Sequence, residues 1–281
     1  MPGSILGNEV QRLEDPELMT GAGTYTGDVN PEGLLFASFS RSPFAHADIT
    51  SIDVADAKSM PGVVAVYTEA DLDVAPFEGA FAINPVLARP LLAKDRVRFV
   101  GEAVVMVIAQ TQAQADDAAE QVLVDFEPLD VVADMESAVA EGAPLLFDDI
   151  KGNIVMGTND PTDSLAGADV VVRARVVNQR IAAVPMEGNA VVAIPPTGDE
   201  PFTIYLSSQG AHIMHGMVCK VLGMKPEDVR VITPYVGGAF GAKISVPQEC
   251  VGAIAAARAL GKPVKWAETR SENLTSMPHG R

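Results

Sequence analysis

"YLSSQGAHIMHGMVCKVLGMKPEDVRVITPYVGGAFGAK", Tyr205 to Lys243, holds the densest local signal in the chain. It reads as strand end, helix, strand and glycine-rich turn. Ile213, Met217 and Val221 recur four apart, as do Met214, Val218 and Leu222, and Gly223 sits where a helix-ending glycine belongs. "DVRVITPYV" is a strand leading into Gly237-Gly238-Ala239-Phe240-Gly241-Ala242-Lys243. Glycines there permit positive φ and let backbone N–H groups converge on an anionic or oxo ligand. A phosphate-cradling P-loop needs Gly-Lys-Ser/Thr, but Ala242 separates Gly241 from Lys243. The spacing does not match the dinucleotide fingerprint either. Read alone, the turn is equally a tight strand-to-helix connection.

Downstream of the turn, Ser245 is expected to cap a helix through Leu260, stopped by Gly261 and Pro263, and "VKWAE" reads as a final strand. Upstream, "NAVVAIPPTGDEPFTIYLSSQ" reads as a hairpin turning at Pro196 to Glu200, and "ADVVVRARVVNQR" (168–180) as a long strand. Residues 142–165 are polar and turn-rich and mark the candidate boundary. Before it come an extended entry arm (1–33), a strand at Leu34 to Ser42, a short helix at Val54 to Lys58, and a Pro61-Gly62 turn of type II. A strand from Val63 to Tyr67 and a long surface loop (72–93) follow. "EAVVMVIAQ" (Glu102 to Gln110) is apolar throughout and reads as a buried strand. Thr111 with Gln114 forms a capping-box pattern ahead of a helix whose buried face is Ala115, Ala118, Ala119 and Val122. "QVLVDFEPLDVVAD" then reads as strand, kink and strand, with Asp134 capping a short helix. Strands and helices alternate irregularly, so the fold class is α+β, not a parallel dinucleotide-binding sheet.

The 281 residues suffice for a well-buried core and favour two domains over one. Aromatics make up only 5%, so aliphatic residues must build the core. A formal charge of −17 without clustered Lys/Arg makes the chain a poor candidate for gripping nucleic acid or anionic membranes. Cys219 and Cys250 form no zinc spacing and no disulfide framework. No apolar run is long enough to span a bilayer, and the N-terminus lacks signal-peptide character. The expectation is a cytoplasmic protein without membrane insertion.

The Tyr205–Lys243 stretch resembles the molybdenum hydroxylase family: xanthine dehydrogenase, aldehyde oxidase and the aerobic carbon monoxide dehydrogenase large subunit. Gln209 falls at the family's Ser/Thr-Gln strand end and Phe240 within its Gly-Gly-Gly-Phe-Gly turn. "GAGTYTGDV", "LLFASFSRSPFAHADITSIDVADAKSMPGVVAVYT" and the segment from Arg89 to Val132 resemble the family's N-terminal α/β hammerhead domain. "NQRIAAVPMEGNAVVA" and "KWAETRSENLTSMPHGR" resemble the start of its molybdopterin-binding domain. The resemblance implies a hammerhead domain with its N-terminal arm at 1–145, a linker at 146–165, and a partial molybdopterin-binding α+β domain at 166–281. It implies a cofactor-binding set of Gln209, Gly238, Ala239, Phe240 and Gly241. Gln209 would donate its side-chain amide to the oxo ligand of molybdenum, and the amides of Phe240 and Gly241 would approach the metal's oxygen and the pterin.

The same resemblance implies a molybdenum–molybdopterin cofactor in its cytosine dinucleotide form. It also implies an iron–sulfur subunit with [2Fe–2S] centres and an FAD subunit, since neither pattern occurs in this chain. The chemistry would be oxidation of an aldehyde, an N-heterocycle or carbon monoxide with water as oxygen source. Family large subunits continue for several hundred residues, and the expected general-base Glu lies in that continuation. No catalytic residue is therefore assigned here, and a partner chain carrying the C-terminal half is expected. Ala239 stands where many members have Gly. Ile244 stands where the purine-oxidising branch has Glu, which argues against xanthine. The rival reading is a non-catalytic assembly fragment that binds no metal alone. Among other residues, Glu187 is expected in a salt bridge or backbone hydrogen bond. His212 and His215 read as ordinary helix residues, and Arg41 and His46 as supports of the hammerhead.

Overall fold

The computed structural model describes residues 7, 11–78, 84–150, 152–154 and 165–278. In chain order the helices are α1 (Asp15–Thr20), α2 (Ala55–Ser59), α3 (Gln112–Ala119), α4 (Met135–Ala138), α5 (Ala211–Leu222), α6 (Gln248–Leu260) and α7 (Arg270–Ser276). The strands are β1 (Leu35–Arg41), β2 (Ala47–Asp53), β3 (Val63–Tyr67), β4 (Arg96–Val97), β5 (Ala103–Ala109), β6 (Leu123–Pro128), β7 (Ala190–Ile194), β8 (Phe202–Leu206), β9 (Val229–Ile232) and β10 (Val264–Ala267). A seven-stranded mixed sheet runs β3-β5-β1-β10-β7-β8-β9, beside a three-stranded antiparallel sheet β4-β2-β6. The architecture is α+β, with two parallel pairings, β1 with β10 and β8 with β9, among antiparallel ones.

The larger sheet takes β1, β3 and β5 from the first part of the chain and β7 to β10 from the last. β1 pairs antiparallel with β5 on one edge and parallel with β10 on the other, Leu35 opposite Val264 and Phe36 opposite Lys265. β5 is buried at every position, which is why its sequence is apolar without alternation. Met106 and Ile108 join Phe39, Trp266, Phe202, Ile204, Met214, Val218 and Ile254 in the main core. Val104, Val105 and Val107 join Ala57, Val66, Val97 and Ala118 in a second. Phe39 meets Trp266 edge-to-face with centroids 5.8 Å apart, a contact between the first and last parts of the chain.

Local signals act as expected at several points. Thr111 accepts from the Gln114 amide and Asp134 from the Ser137 amide, starting α3 and α4. Gly223 closes α5 in the left-handed region at φ 60°. Gly62 carries φ 83°, as the second position of a type II turn requires.

Four expectations fail. The entry arm contains α1 and a 3-10 turn at Thr26–Asp28, and it is pinned because the buried Lys265 ammonium donates to the Gly27 carbonyl and to Asn30 Oδ1, both at 2.7 Å. Residues 168–180 form no strand, and Val170, Val172 and Val176 are 78%, 83% and 87% exposed. The alternation is there, but no strand among the described residues pairs with it, and a strand needs a neighbour for its N–H and C=O groups. No second strand follows the kink after β6. Ser245 does not cap α6, whose N-cap is Pro247; the Ser245 hydroxyl is buried without a partner among the described residues. β10 is the last strand among the described residues, as expected, and α7 follows it, with Thr269 and Glu272 forming a full capping box.

Arg41 joins the two halves electrostatically and does not serve the hammerhead alone. It donates to Glu249 at 2.6 Å, to Glu272 at 2.8 Å and to the Gly101 carbonyl at 2.9 Å, with its side chain 11% exposed. Burial works against its charge, but the two carboxylates outweigh burial and raise its pKa. Arg41→Met leaves two half-buried carboxylates without their cation. The expected loss is about 3–5 kcal/mol of unfolding free energy, read by urea titration.

Candidate functional site

β9 delivers the chain to Tyr235, whose amide donates to the Thr24 carbonyl at 3.3 Å and whose hydroxyl donates to Glu17 at 2.6 Å. The glycine turn begins two residues later and is held at its two ends. At the first, the Glu187 amide donates to the Gly237 carbonyl at 3.1 Å, and the Gly237 amide donates to Glu187 Oε2 at 2.8 Å. At the other, the Gln209 amide donates to the Lys243 carbonyl at 3.0 Å, and the Lys243 amide donates to Gln209 Oε1 at 3.2 Å. Between them the amides of Gly238, Ala239, Phe240 and Gly241 have no acceptor among the described residues. The side-chain Nε2 of Gln209 likewise has no partner among them.

The backbone explains which residues stand where. Gly238 and Gly241 carry φ 102° and 90°. Phe240 sits at φ 53°, left-handed backbone that costs a non-glycine residue roughly 1–2 kcal/mol, and its ring is 72% exposed. Ala239 lies outside the positive-φ region, so its methyl meets no backbone objection and glycine is not required there. At Gly237 a Cβ would fall 2.6 Å from the Glu187 Cβ, so glycine is what admits the close approach.

Beneath the turn Lys243 is wholly buried. Its ammonium donates to Ser207 Oγ at 2.8 Å, to the Glu187 carbonyl at 2.9 Å and to Glu187 Oε2 at 3.1 Å. Burial lowers the Lys243 pKa, and Glu187 partly restores it. Glu187 thus makes both the salt bridge and the backbone hydrogen bond expected of it. Its Oε1 is buried and has no partner among the described residues. A second network backs the segment before β7. Arg270 donates to the carbonyls of Pro185 and Met186 at 2.8 and 3.0 Å, next to Val184, whose φ of 41° is rare for a β-branched residue. Arg270 also donates to Asn273, and Asn273 to Glu268. Glu268 accepts from the Asn189 amide at 2.8 Å, and its pKa is raised by burial.

Sequence reasoning did not single out Lys243 side-chain chemistry, Glu268, Arg270 or Asn273. The signal for the last two was legible: Thr269-x-x-Glu272 is a capping box that announces α7. The other candidates lie elsewhere. His215 Nε2 lies 3.0 Å from the Pro226 carbonyl and 3.1 Å from that of Val229, and His212 is exposed. His46 Nδ1 lies 2.8 Å from the Asp130 carbonyl. Cys219 and Cys250 are buried thiols. No cluster of three metal-ligating side chains occurs among the described residues, and no described helix is long and apolar enough to cross a membrane.

A run of four unpartnered amides beside a free carboxamide suits a group that presents several electron-rich acceptors. The buried Glu187 Oε1 adds an unmet acceptor near that wall. These features fit an oxygen-rich cofactor whose own donors and acceptors would meet them.

This chain belongs to the molybdenum hydroxylase large-subunit family. The family model for the aldehyde oxidase and xanthine dehydrogenase a/b hammerhead domain matches residues 20–130, and that for the molybdopterin cofactor-binding domain matches residues 146–281. The chain is 37% identical to the nicotine 6-hydroxylase large subunit of Paenarthrobacter nicotinovorans, over 98% of this chain and 35% of that protein. It is 35% identical to the carbon monoxide dehydrogenase large chain of Afipia carboxidovorans, over 98% of this chain and 36% of that one. The structure of quinoline 2-oxidoreductase from Pseudomonas putida 86 superposes with a TM-score of 0.84 at 34% identity, covering 98% of this chain and 36% of that chain. The chain thus spans about a third of the length of these relatives.

The two kinds of glycine are separable by experiment. Gly237→Ala drives a methyl into Glu187, and the expected cost is about 1–3 kcal/mol. Gly216→Ala, inside α5 with nothing within 4 Å of the added carbon, is expected to stabilise by about 0.5–1 kcal/mol. Denaturant midpoints of the two variants check both signs.

Proposed function

We propose that this chain is the N-terminal part of the molybdopterin-binding subunit of a cytoplasmic molybdenum hydroxylase, with residues 1–145 as hammerhead domain and arm, 146–165 as linker and 166–281 as the first part of the cofactor domain. The observation that carries the reading is the set of unpartnered donors: the amides of Gly238 to Gly241 and the carboxamide of Gln209. When bound, the molybdenum–molybdopterin group supplies a two-electron redox centre through which oxygen from water enters the substrate. The residues of this chain bind and orient that group. Gln209 Nε2 and the amides of Phe240 and Gly241 donate to its acceptor atoms, and they do so with little reorganisation because both ends of the turn are tied down. Donors already aimed at a site of growing negative charge stabilise it more than mobile water does.

The substrate class is an aldehyde, an N-heterocycle or carbon monoxide. Ile244, half exposed next to Lys243, offers no carboxylate to a purine. The pterin is the cytosine dinucleotide form. The rest of the large subunit supplies the general-base Glu and the facing walls, an iron–sulfur subunit holds [2Fe–2S] centres, and an FAD subunit takes the electrons onward. This chain alone turns over no substrate.

Co-expression of the chain with the remaining segment and both partner subunits tests the reading. The expected product holds stoichiometric molybdenum and pterin by elemental and fluorescence analysis. A fully assembled complex free of molybdenum overturns the proposal in favour of an assembly role. In the loaded complex, Gln209→Ala is expected to lower kcat about a hundredfold, as loss of one preorganised donor does.

A further inference from the structure

Lys243 is the least expected residue at the site. Its side chain has no solvent exposure, yet it carries an ammonium group, and burying such a charge is expensive even when it is paired. Apolar residues of similar volume commonly replace buried ion pairs at no loss of stability. Stability alone therefore does not account for a lysine here, and its geometry does.

All three Nζ protons are used: on Ser207 Oγ, on the Glu187 carbonyl and on Glu187 Oε2. Glu187 Oε2 also accepts from the Gly237 amide and from the Ser207 hydroxyl. The result is a closed ring. It leaves Gly237 through Glu187, crosses to the Lys243 ammonium, and returns along the backbone of the turn. The turn's two ends are joined through side chains, so the backbone amides between them need not pair with each other. Inside the turn the Ala242 amide donates to the Ala239 carbonyl at 3.0 Å, a backbone bond that uses none of the four donors from Gly238 to Gly241.

Charge supplies the second argument. Glu187 Oε2 accepts from the Gly237 amide, so an unbalanced carboxylate would stand at the first residue of the turn, next in sequence to the four free N–H groups. It would repel any electron-rich group resting on them. The Lys243 ammonium, 3.1 Å from the same oxygen, cancels that field at its source.

We propose that Lys243 is a positioning residue of the amide cradle: it clasps the two ends of the glycine turn through Glu187 and neutralises that carboxylate, so that the Gly238–Gly241 amides stay fixed, free and receptive to an electron-rich group. The identity of that group rests on the function proposed above; the clasp itself does not.

Lys243→Met, Ser207→Ala and the double variant Lys243→Met/Glu187→Gln separate clasping from mere charge balance. Residue-resolved hydrogen exchange on the chain reads the amides of Gly237 and Lys243, which are hydrogen-bonded at the turn's ends. Lys243→Met is expected to speed their exchange at least tenfold, and Ser207→Ala, which keeps the ion pair and the fold, a few-fold. The double variant removes the buried charge altogether. It is expected to recover the wild-type denaturant midpoint while exchange at the turn stays fast and molybdenum content of the assembled complex stays low. Recovery of slow exchange and full molybdenum content in the double variant would reduce Lys243 to a counter-ion and overturn the proposal. Unchanged exchange in both Lys243→Met and Ser207→Ala would overturn it as well. A wild-type complex without molybdenum would instead sink the cofactor reading and leave the exchange result to judge the clasp.

Discussion

The parallel pairing of β1 with β10 is the constraint on which the remaining structure hangs. It places a strand from the chain's first segment in the middle of a sheet whose other half is β10, β7, β8 and β9. Once Leu35 lies against Val264, Phe39 must pack on Trp266, Arg41 must reach Glu249 and Glu272, and Lys265 must emerge under Gly27 and Asn30. The two matched family domains therefore share one sheet and one core. The boundary between them is a boundary of sequence pattern more than of packing.

The same sheet sets the site. β8 ends at Leu206 and β9 at Ile232, parallel neighbours that both run out toward the turn region. Ser207 and Gln209 follow one of them, and Gly237 to Lys243 the other. Two strand ends thus bring together groups that a single loop could not hold. The Glu187 segment enters beside them just ahead of β7, and α7 braces it through Arg270. The rigidity of the amide run comes from this convergence, since no regular secondary structure contains it.

Much of this was legible in the residues, and the exceptions share a physical cause. Hydrophobic pattern located β1, β3, α3, α5 and the β7–β8 hairpin, and a continuous apolar run located β5, because burial on one face leaves a periodic mark and burial on both faces an unbroken one. The glycine turn stood out because residue type shows where positive φ is allowed, whereas Gln209 was marked only by the family resemblance. The pairing of β1 with β10 was invisible, since alternation says that a strand is half buried and not against what. The Lys243 clasp was invisible for a related reason: lysine in a turn ordinarily means solvent, and only tertiary structure turns this one inward. Valines at 170, 172 and 176 mislead in the opposite direction. Their alternation is sound evidence of strand propensity, but propensity without a neighbouring edge makes no sheet.

The distance along the chain between Leu35 and Val264 has a consequence in time. A ribosome adds about 5–20 residues each second, so on the order of ten to fifty seconds separate the appearance of β1 from that of β10. Through that interval β5 can cover one edge of β1, but the other stands open with its hydrogen-bonding groups unanswered. Until β10 arrives, that open edge is a template on which another chain can pair.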